Sequence, residues 1–205
     1  DEWLNVMMSP DTSDPVHADL IKTINRFRIP LWPLKDFARS MVYDIDNDGF
    51  PTLQSFLDYS QGASVAPASI FVHLCGLTNE NNDYRDPLFD VRSAATPCAI
   101  FSYLVHIIRD FQKDQANNLN YFADDILTKN GLSRDDLRQI ATGKPVPAGF
   151  RNMIREYCAL ATEYREKTAI IIEEISPLIE PRSRLSLRII FDLYQMVYER
   201  IDVEK

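Results

Sequence analysis

The sequence predicts an all-α protein folded as a single domain over residues 1–205. Three observations point there. Glycine is scarce, six residues against eleven Phe and nine Tyr, which disfavours a glycine-punctuated sheet or a glycine-rich nucleotide-binding turn. Apolar residues recur at the i, i+3, i+4, i+7 spacing of a buried helix face over long stretches, and no segment sustains the period-two alternation of a half-buried strand.

The elements follow in order. Residues 16–27 read as a helix with Val16, Leu20, Ile21, Ile24 and Phe27 on one face. The Pro-bounded turn "RIPLWP" leads to a short helix over 34–43, ending near Tyr43. Thr52 is a suitable N-cap for a helix over 53–75, in which Pro67 must kink or interrupt the backbone ladder. "TNENNDYRDP" reads as a polar loop. Residues 90–114 form a long apolar helix centred on "AIFSYLVHIIRDF". Ser133 caps a short helix beginning "LSRDDL", and "TGKPVPAG" is a turn segment. A long helix over 149–175 turns Met153, Ile154, Tyr157, Ala161, Tyr164, Thr168, Ile171, Ile172 and Ile175 inward, until Pro177 and Pro181 break it. A last helix covers 183–202 through Leu187, Ile190, Phe191, Tyr194, Val197, Tyr198 and Ile201.

With 45% apolar and 25% charged residues, 205 in all, the chain is ordinary for a globular protein and long enough to bury a sizeable core. The net charge of −8 and the lack of a dense basic cluster exclude nucleic acid as an expected partner. Arg182, Arg184 and Arg188 read first as a solvated helix start. Cys75, Cys98 and Cys158 are odd in number and far apart, which fits reduced core thiols in a cytoplasmic protein. No apolar run approaches the roughly 20 residues that span a bilayer, and no leader peptide is visible.

Two acidic groups raise the question of metal. In "YDIDNDGFPTLQSF" the alternation Asp44, Asp46, Asp48, Gly49 resembles a calcium loop. An EF-hand needs a bidentate acid at the twelfth position, which is Ser55 here, and its eighth position is Pro51. The stretch is therefore expected to be an acidic turn before a Thr-capped helix. In "HIIRDFQKD", His106, Asp110 and Asp114 fall at i, i+4 and i+8, so all three share one side of a helix. The turns before them are apolar nearly all round, which places the carboxylates in or beside the interior, where they need a cation. Two Asp one turn apart can hold Mg²⁺ that takes its remaining ligands from water and a phosphate-bearing substrate. The alternative is a helix emerging into solvent with Asp110 and Asp114 paired to Arg109 and Lys113. Asp124/Asp125 and Asp135/Asp136 sit at helix N-termini, where negative charge is favoured in any case.

Several stretches, in order, resemble the squalene/phytoene synthases, which join two prenyl diphosphates head to head. "IIRDFQKD" followed by "LNYFADDILTKNGLSRDDL" is similar to that family's second aspartate motif, R-D-x-x-E-D, and its following loop. Asp110 and Asp114 match the two metal-binding aspartates and Tyr121 the loop tyrosine. "DIDNDGFPTLQSFLDYSQGAS" resembles the segment D-L-x(4)-Y-x-T-x(3)-E-L-x-x-Y-C, with Asp44, Phe50, Thr52, Leu57 and Tyr59 in register. "PRSRLSLRIIFDLYQMVYERI" is similar to the terminal helix. There are departures: His106 stands where the family has Asn, Tyr103 where it has Gln, and Asn118-Leu119 where it has Gly-Arg. The family's first aspartate motif, expected before the region of Trp3, is absent, so a preceding segment carrying it is expected.

The resemblance implies an isoprenoid-synthase-like helical bundle around a central apolar cavity. It implies a prenyltransferase of isoprenoid biosynthesis acting on farnesyl or geranylgeranyl diphosphate through a cyclopropylcarbinyl diphosphate. Mg²⁺ is the implied cofactor, with NADPH added if the product is squalene. Asp110, Asp114 and His106 are the implied metal ligands. Tyr59, Asp110 and Asp114 are the implied catalytic residues, and Tyr59, His106, Arg109 and Tyr121 the substrate-binding set. Peripheral membrane association is the expected variation on a cytoplasmic location. The competing reading is a non-catalytic relative that keeps the fold for binding or assembly.

Overall fold

The structure is a computed structural model that describes residue 9 and residues 14–81 and 83–204. The region of Trp3 lies outside the described residues. The chain is built from ten α-helices among the described residues, joined by two irregular helical turns and one small hairpin.

Helix α1, Pro15–Arg26, begins on Asp14, whose carboxylate accepts from the Val16 N–H at 3.0 Å, with Pro15 in the first turn. Pro is welcome there because its missing N–H has no helical partner to lose. Helix α2, Trp32–Asp46, opens on Pro33 in the same way and runs three residues past Tyr43. Asp44 and Asp46 are therefore helical, and the alternating acidic loop does not form. Helix α3, Leu53–Ser60, starts on a full capping box: the Thr52 hydroxyl accepts from Ser55 N–H and the Ser55 hydroxyl accepts from Thr52 N–H, each at 3.1 Å. Ser55, the residue that excluded a calcium loop, is thus the third residue of a helix start.

The expected interruption at Pro67 comes earlier. A π-turn, Gln61–Val65, separates α3 from α4, Ala66–Gly76, and Pro67 falls harmlessly in the first turn of α4. The wide turn lets Gly62 press against α2, where a Cβ would meet the Asp36 carbonyl and the Ser40 hydroxyl at 2.2 Å each. The Ser40 hydroxyl also donates to the Tyr59 carbonyl at 3.0 Å. The predicted polar loop contains an antiparallel hairpin, β1 (Thr78–Glu80) and β2 (Asp83–Arg85), paired Thr78 to Arg85. Strands of three residues are too short to display an alternation.

The long helix expected over 90–114 is two helices. Helix α5, Val91–Arg109, is capped by Asp90, and α6, Phe111–Ala116, follows. The backbone turns at Asp110, with φ −91° and ψ 7°. There Arg109 and Asp110 clasp each other side chain to side chain, and adjacent residues of a regular helix do not face one another. The i to i+4 ladder nonetheless continues through the bend, from Asp110 N–H to the His106 carbonyl and from Asp114 N–H to the Asp110 carbonyl. Helix α7 is Asp124–Lys129, and α8, Arg134–Ala141, carries a second capping box between Ser133 and Asp136. Helix α9, Ala148–Ile175, ends in a 3₁₀ turn over Ser176–Leu178, and α10 spans Pro181–Tyr198, ending before Ile201.

Helix α5 is the axis of the molecule. Ile100, Phe101, Leu104 and Val105 are almost wholly buried, and α9 and α4 are its main neighbours. By length and composition it is long and apolar enough to cross a bilayer, contrary to the sequence expectation, but half of that span is buried inside the bundle. Its continuous apolar character is that of a core helix packed on several sides.

Candidate active site

Helices α4, α5, α9 and α10 enclose a cavity of about 430 Å³, within the range of small-molecule sites. The α5 wall supplies the room. Ala94, Ala95, Cys98, Ala99 and Ser102 recur every three or four residues and face the cavity. Facing them are Phe71 from α4, Ile171, Ile172 and Ile175 from α9, and Leu187 and Ile190 from α10. The few hydroxyls present turn away from the void: Ser64 and Ser102 each donate to the Ala99 carbonyl at 2.9 Å, and Thr168 donates to the Tyr164 carbonyl at 2.7 Å. Burial pushes the Cys98 thiol up to about 11, so it is an uncharged member of the lining. From Ala94 to His106 the α5 wall runs for roughly 18 Å at 1.5 Å per residue.

One end of this cavity is polar. Tyr103, His106 and Tyr194 line it, and the His106 Nε2 lies 3.0 Å from the Tyr194 hydroxyl. Burial, and next the Arg109 guanidinium, hold the imidazole below its ordinary value, so it is neutral. One residue past Arg109 comes Asp110. The Arg109 fork grips it through Nε and Nη2, both at 2.7 Å, and that hydrogen bonding holds the Asp110 carboxyl below the usual range. Asp114 behaves in the opposite sense. Burial, and then the negative charge of Asp110, raise its carboxyl, and among the described residues its carboxylate has no ion pair and no side-chain hydrogen bond. Pairing with arginine thus accounts for Asp110 and leaves Asp114 without a counter-ion in contact.

A cluster of tyrosines lies beside these groups. The Tyr59 hydroxyl donates to Asp44 Oδ2 at 2.8 Å. Its ring centroid lies 5.0 Å from Phe50 and 6.5 Å from Tyr103, and Tyr121 is 6.0 Å from Tyr103 and 6.3 Å from Phe50. Burial raises all three phenols above their ordinary value, Tyr59 and Tyr103 most strongly. The negative charges of Asp114 and then Asp44 add to the rise at Tyr121. Tyr103 lines the cavity, and Tyr59 packs against it from outside that lining, their ring centroids 6.5 Å apart. Sequence reasoning missed Tyr103 as a site residue and Asp44 as the partner of Tyr59. Tyr103 could have been found by its place one turn before His106 on the same helix; the Asp44–Tyr59 contact could not, because it joins α2 to α3.

Asp48, in the acidic stretch after α2, has a structural use. The Arg134 guanidinium pairs with Asp124 at 2.7 Å through each of two nitrogens, lies 3.3 Å from the Asp48 carboxylate, and bonds the Asp48 carbonyl. It staples the loop to α8, and Gly49, at φ 88°, passes directly under it.

No group of three or more metal-ligating side chains converges among the described residues, and His106 is directed to Tyr194 rather than to the two aspartates. The donor set still suits Mg²⁺. Asp114 offers partly desolvated, uncompensated carboxylate oxygens one turn from a second carboxylate, and Mg²⁺ is commonly held by one or two carboxylates with water and phosphate completing its shell.

With this geometry established, comparison with known proteins decides the family. The squalene/phytoene synthase profile matches residues 4–205. The chain belongs to the squalene/phytoene synthase family. It is 24% identical over 164 residues to the chloroplastic phytoene synthase 1 of Zea mays, covering 80% of this chain and 38% of that protein. It therefore spans well under half the length of that squalene/phytoene synthase relative. The fold is that of a squalene synthase HpnC from Alicyclobacillus acidocaldarius, with a TM-score of 0.80, 16% identity, and coverage of 97% of this chain and 69% of that one. A dehydrosqualene synthase solved with a ligand is similar at a TM-score of 0.71 and 18% identity, covering 98% of this chain and 68% of that one. The expected all-α synthase bundle is therefore the observed one.

Proposed function

We propose that the protein takes part in the head-to-head condensation of two prenyl diphosphates, farnesyl or geranylgeranyl, through a cyclopropylcarbinyl diphosphate to a squalene- or phytoene-type product. The observation that carries this reading is the continuity of α5 and α6. One stretch of backbone lines an apolar cavity with small residues, reaches its polar end at His106, and within two further turns presents Asp110 and Asp114.

In this reading the cavity takes the prenyl chain and keeps water from an allylic cation. Asp114 and Asp110 are the residues that would hold Mg²⁺ beside the diphosphate. A bound Mg²⁺ supplies neutralisation of the leaving group's charge. Arg109, with five donors, uses Nε and Nη2 on Asp110 and turns its remaining N–H groups to the diphosphate. Neutral His106 contributes a ring nitrogen at the boundary between chain and diphosphate. Tyr121, packed edge-on against Tyr103, supports the polar end from behind.

The test is to incubate the protein with farnesyl or geranylgeranyl diphosphate and MgCl₂, extract with organic solvent and analyse the lipids. The expected result is a condensed product, lost by about 100-fold or more in Asp114→Ala, the scale of removing a group that stabilises charge only in the transition state. Prenyl diphosphate binding without any condensed product would replace this reading with the non-catalytic one.

A further inference from the structure

Two carboxylates one turn apart stand in opposite conditions, and one side chain makes the difference. Arg109 grips Asp110 through Nε on Oδ1 and Nη2 on Oδ2, both at 2.7 Å. Asp114 has no ion pair and no side-chain hydrogen bond among the described residues. The grip depends on the bend between α5 and α6. Neighbours in a regular helix point about 100° apart around the axis, and the turn of the backbone at Asp110, φ −91° and ψ 7°, lets these two side chains meet. The guanidinium is steadied by a second contact, with its Nη2 3.4 Å from the His106 Nδ1. A guanidinium only donates, so Nδ1 accepts. The proton of the neutral ring then sits on Nε2, which donates to the Tyr194 hydroxyl at 3.0 Å. Asp110 is left with one uncommitted lone pair on each oxygen, on a carboxylate whose charge a cation already meets.

We propose that Arg109 is a latch that withholds Asp110 from a divalent cation until a diphosphate draws the guanidinium away. The identity of that diphosphate rests on the proposed function. Towards the cation Arg109 is a positioning residue: it does not hold the metal but decides when the second carboxylate is available. A fork that fits a carboxylate also fits a phosphate, and a diphosphate carries more negative charge than one carboxylate. The N–H groups that Asp110 leaves unused make the first contact, and the fork follows. Both Asp110 oxygens then face the cation that neutralises the same diphosphate. Either ligand therefore binds more easily with the other present, and the coupling is equal in both directions.

Isothermal titration of the whole chain with each ligand alone tests the latch from both sides. MgCl₂ without diphosphate is expected to bind Arg109→Lys about tenfold more tightly than the wild type. Lysine keeps the positive charge and lacks the fork, so loss of charge cannot account for such a gain. In Arg109→Lys/Asp110→Asn the gain is expected to vanish, because the released carboxylate supplies it. Inorganic diphosphate in EDTA is expected to bind Asp110→Asn several-fold more tightly than Asp114→Asn. Each of these variants removes one negative charge, but only the first frees Arg109. Thermal melts of each variant establish that it is folded. Equal Mg²⁺ affinity of Arg109→Lys and the wild type, a gain that survives in the double variant, or equal diphosphate affinity of the two asparagine variants overturns the proposal, as does a lack of Mg²⁺ binding by wild type and Arg109→Lys alike. The expected shifts without condensed product remove the proposed reaction and keep the latch. Condensed product without the shifts does the reverse.

Discussion

Asp114 is the residue whose surroundings ask most plainly for a ligand. Its carboxyl is raised by burial and then by Asp110, so the folded protein holds its proton more tightly than the unfolded chain does. For an acid with a raised value, the charged form opposes folding. The penalty is present at neutral pH and fades as pH falls towards the ordinary carboxylate range, about pH 4. Asp114→Asn keeps the shape and removes the charge. It is expected to raise the melting temperature by about 1–2 °C at pH 7, with no gain at about pH 4, as scanning calorimetry would show. The same variant is expected to lose the protection that MgCl₂ with inorganic diphosphate gives the wild type. A variant that melts lower at neutral pH would mean that the carboxylate is already satisfied. Asp110 and Asp114 were legible in the sequence because their spacing and their apolar surroundings both bear on chemistry. Their difference in state was not, because it depends on where the Arg109 side chain lies.

At the scale of elements, helix starts were readable and irregular turns were not. Thr52 and Ser133 announce their helices by local side-chain chemistry, which sequence preserves. The π-turn over Gln61–Val65 and the bend at Asp110 arise from contacts with other parts of the chain, so periodicity cannot place them. The hairpin at Thr78–Arg85 is too short to carry a pattern. The π-turn is expected to be the most sensitive joint in the fold. Gly62→Ala puts a methyl group within 2.2 Å of the Asp36 carbonyl and the Ser40 hydroxyl; the hydroxyl can rotate away, but the Asp36 backbone cannot yield without moving α2. The expected cost is about 2–4 kcal/mol, read as a lower urea midpoint with an unchanged slope. An unaltered midpoint would show that α2 and the π-turn separate freely. Because Ser40 also holds the Tyr59 carbonyl, the same variant should disturb the tyrosine cluster before it disturbs the far end of the cavity.

For the whole molecule, the arrangement of α4, α5, α9 and α10 turns a row of small side chains into a chamber with one polar end. The fold class and the inward faces of α5, α9 and α10 followed from apolar spacing. The chamber did not, because Ala94, Ala95, Cys98 and Ala99 have the same periodicity whether a neighbour fills the space beside them or leaves it open. Tyr103 lines the cavity with Tyr59 packed against it, a layering that depends on how α3 and α5 meet and that sequence spacing does not display. The central claim is that a prenyl chain enters this chamber with its diphosphate towards Asp110 and Asp114. The most direct measurement is a crystal structure of the protein with a farnesyl thiodiphosphate, which resists loss of the leaving group, and MgCl₂. The account predicts the chain along Ala95, Cys98 and Ser102, the first carbon near Tyr103, and the diphosphate joined to Asp114 through metal. A chain bound outside the chamber, or a diphosphate at its opposite end near Ile175 and Leu187, would contradict it.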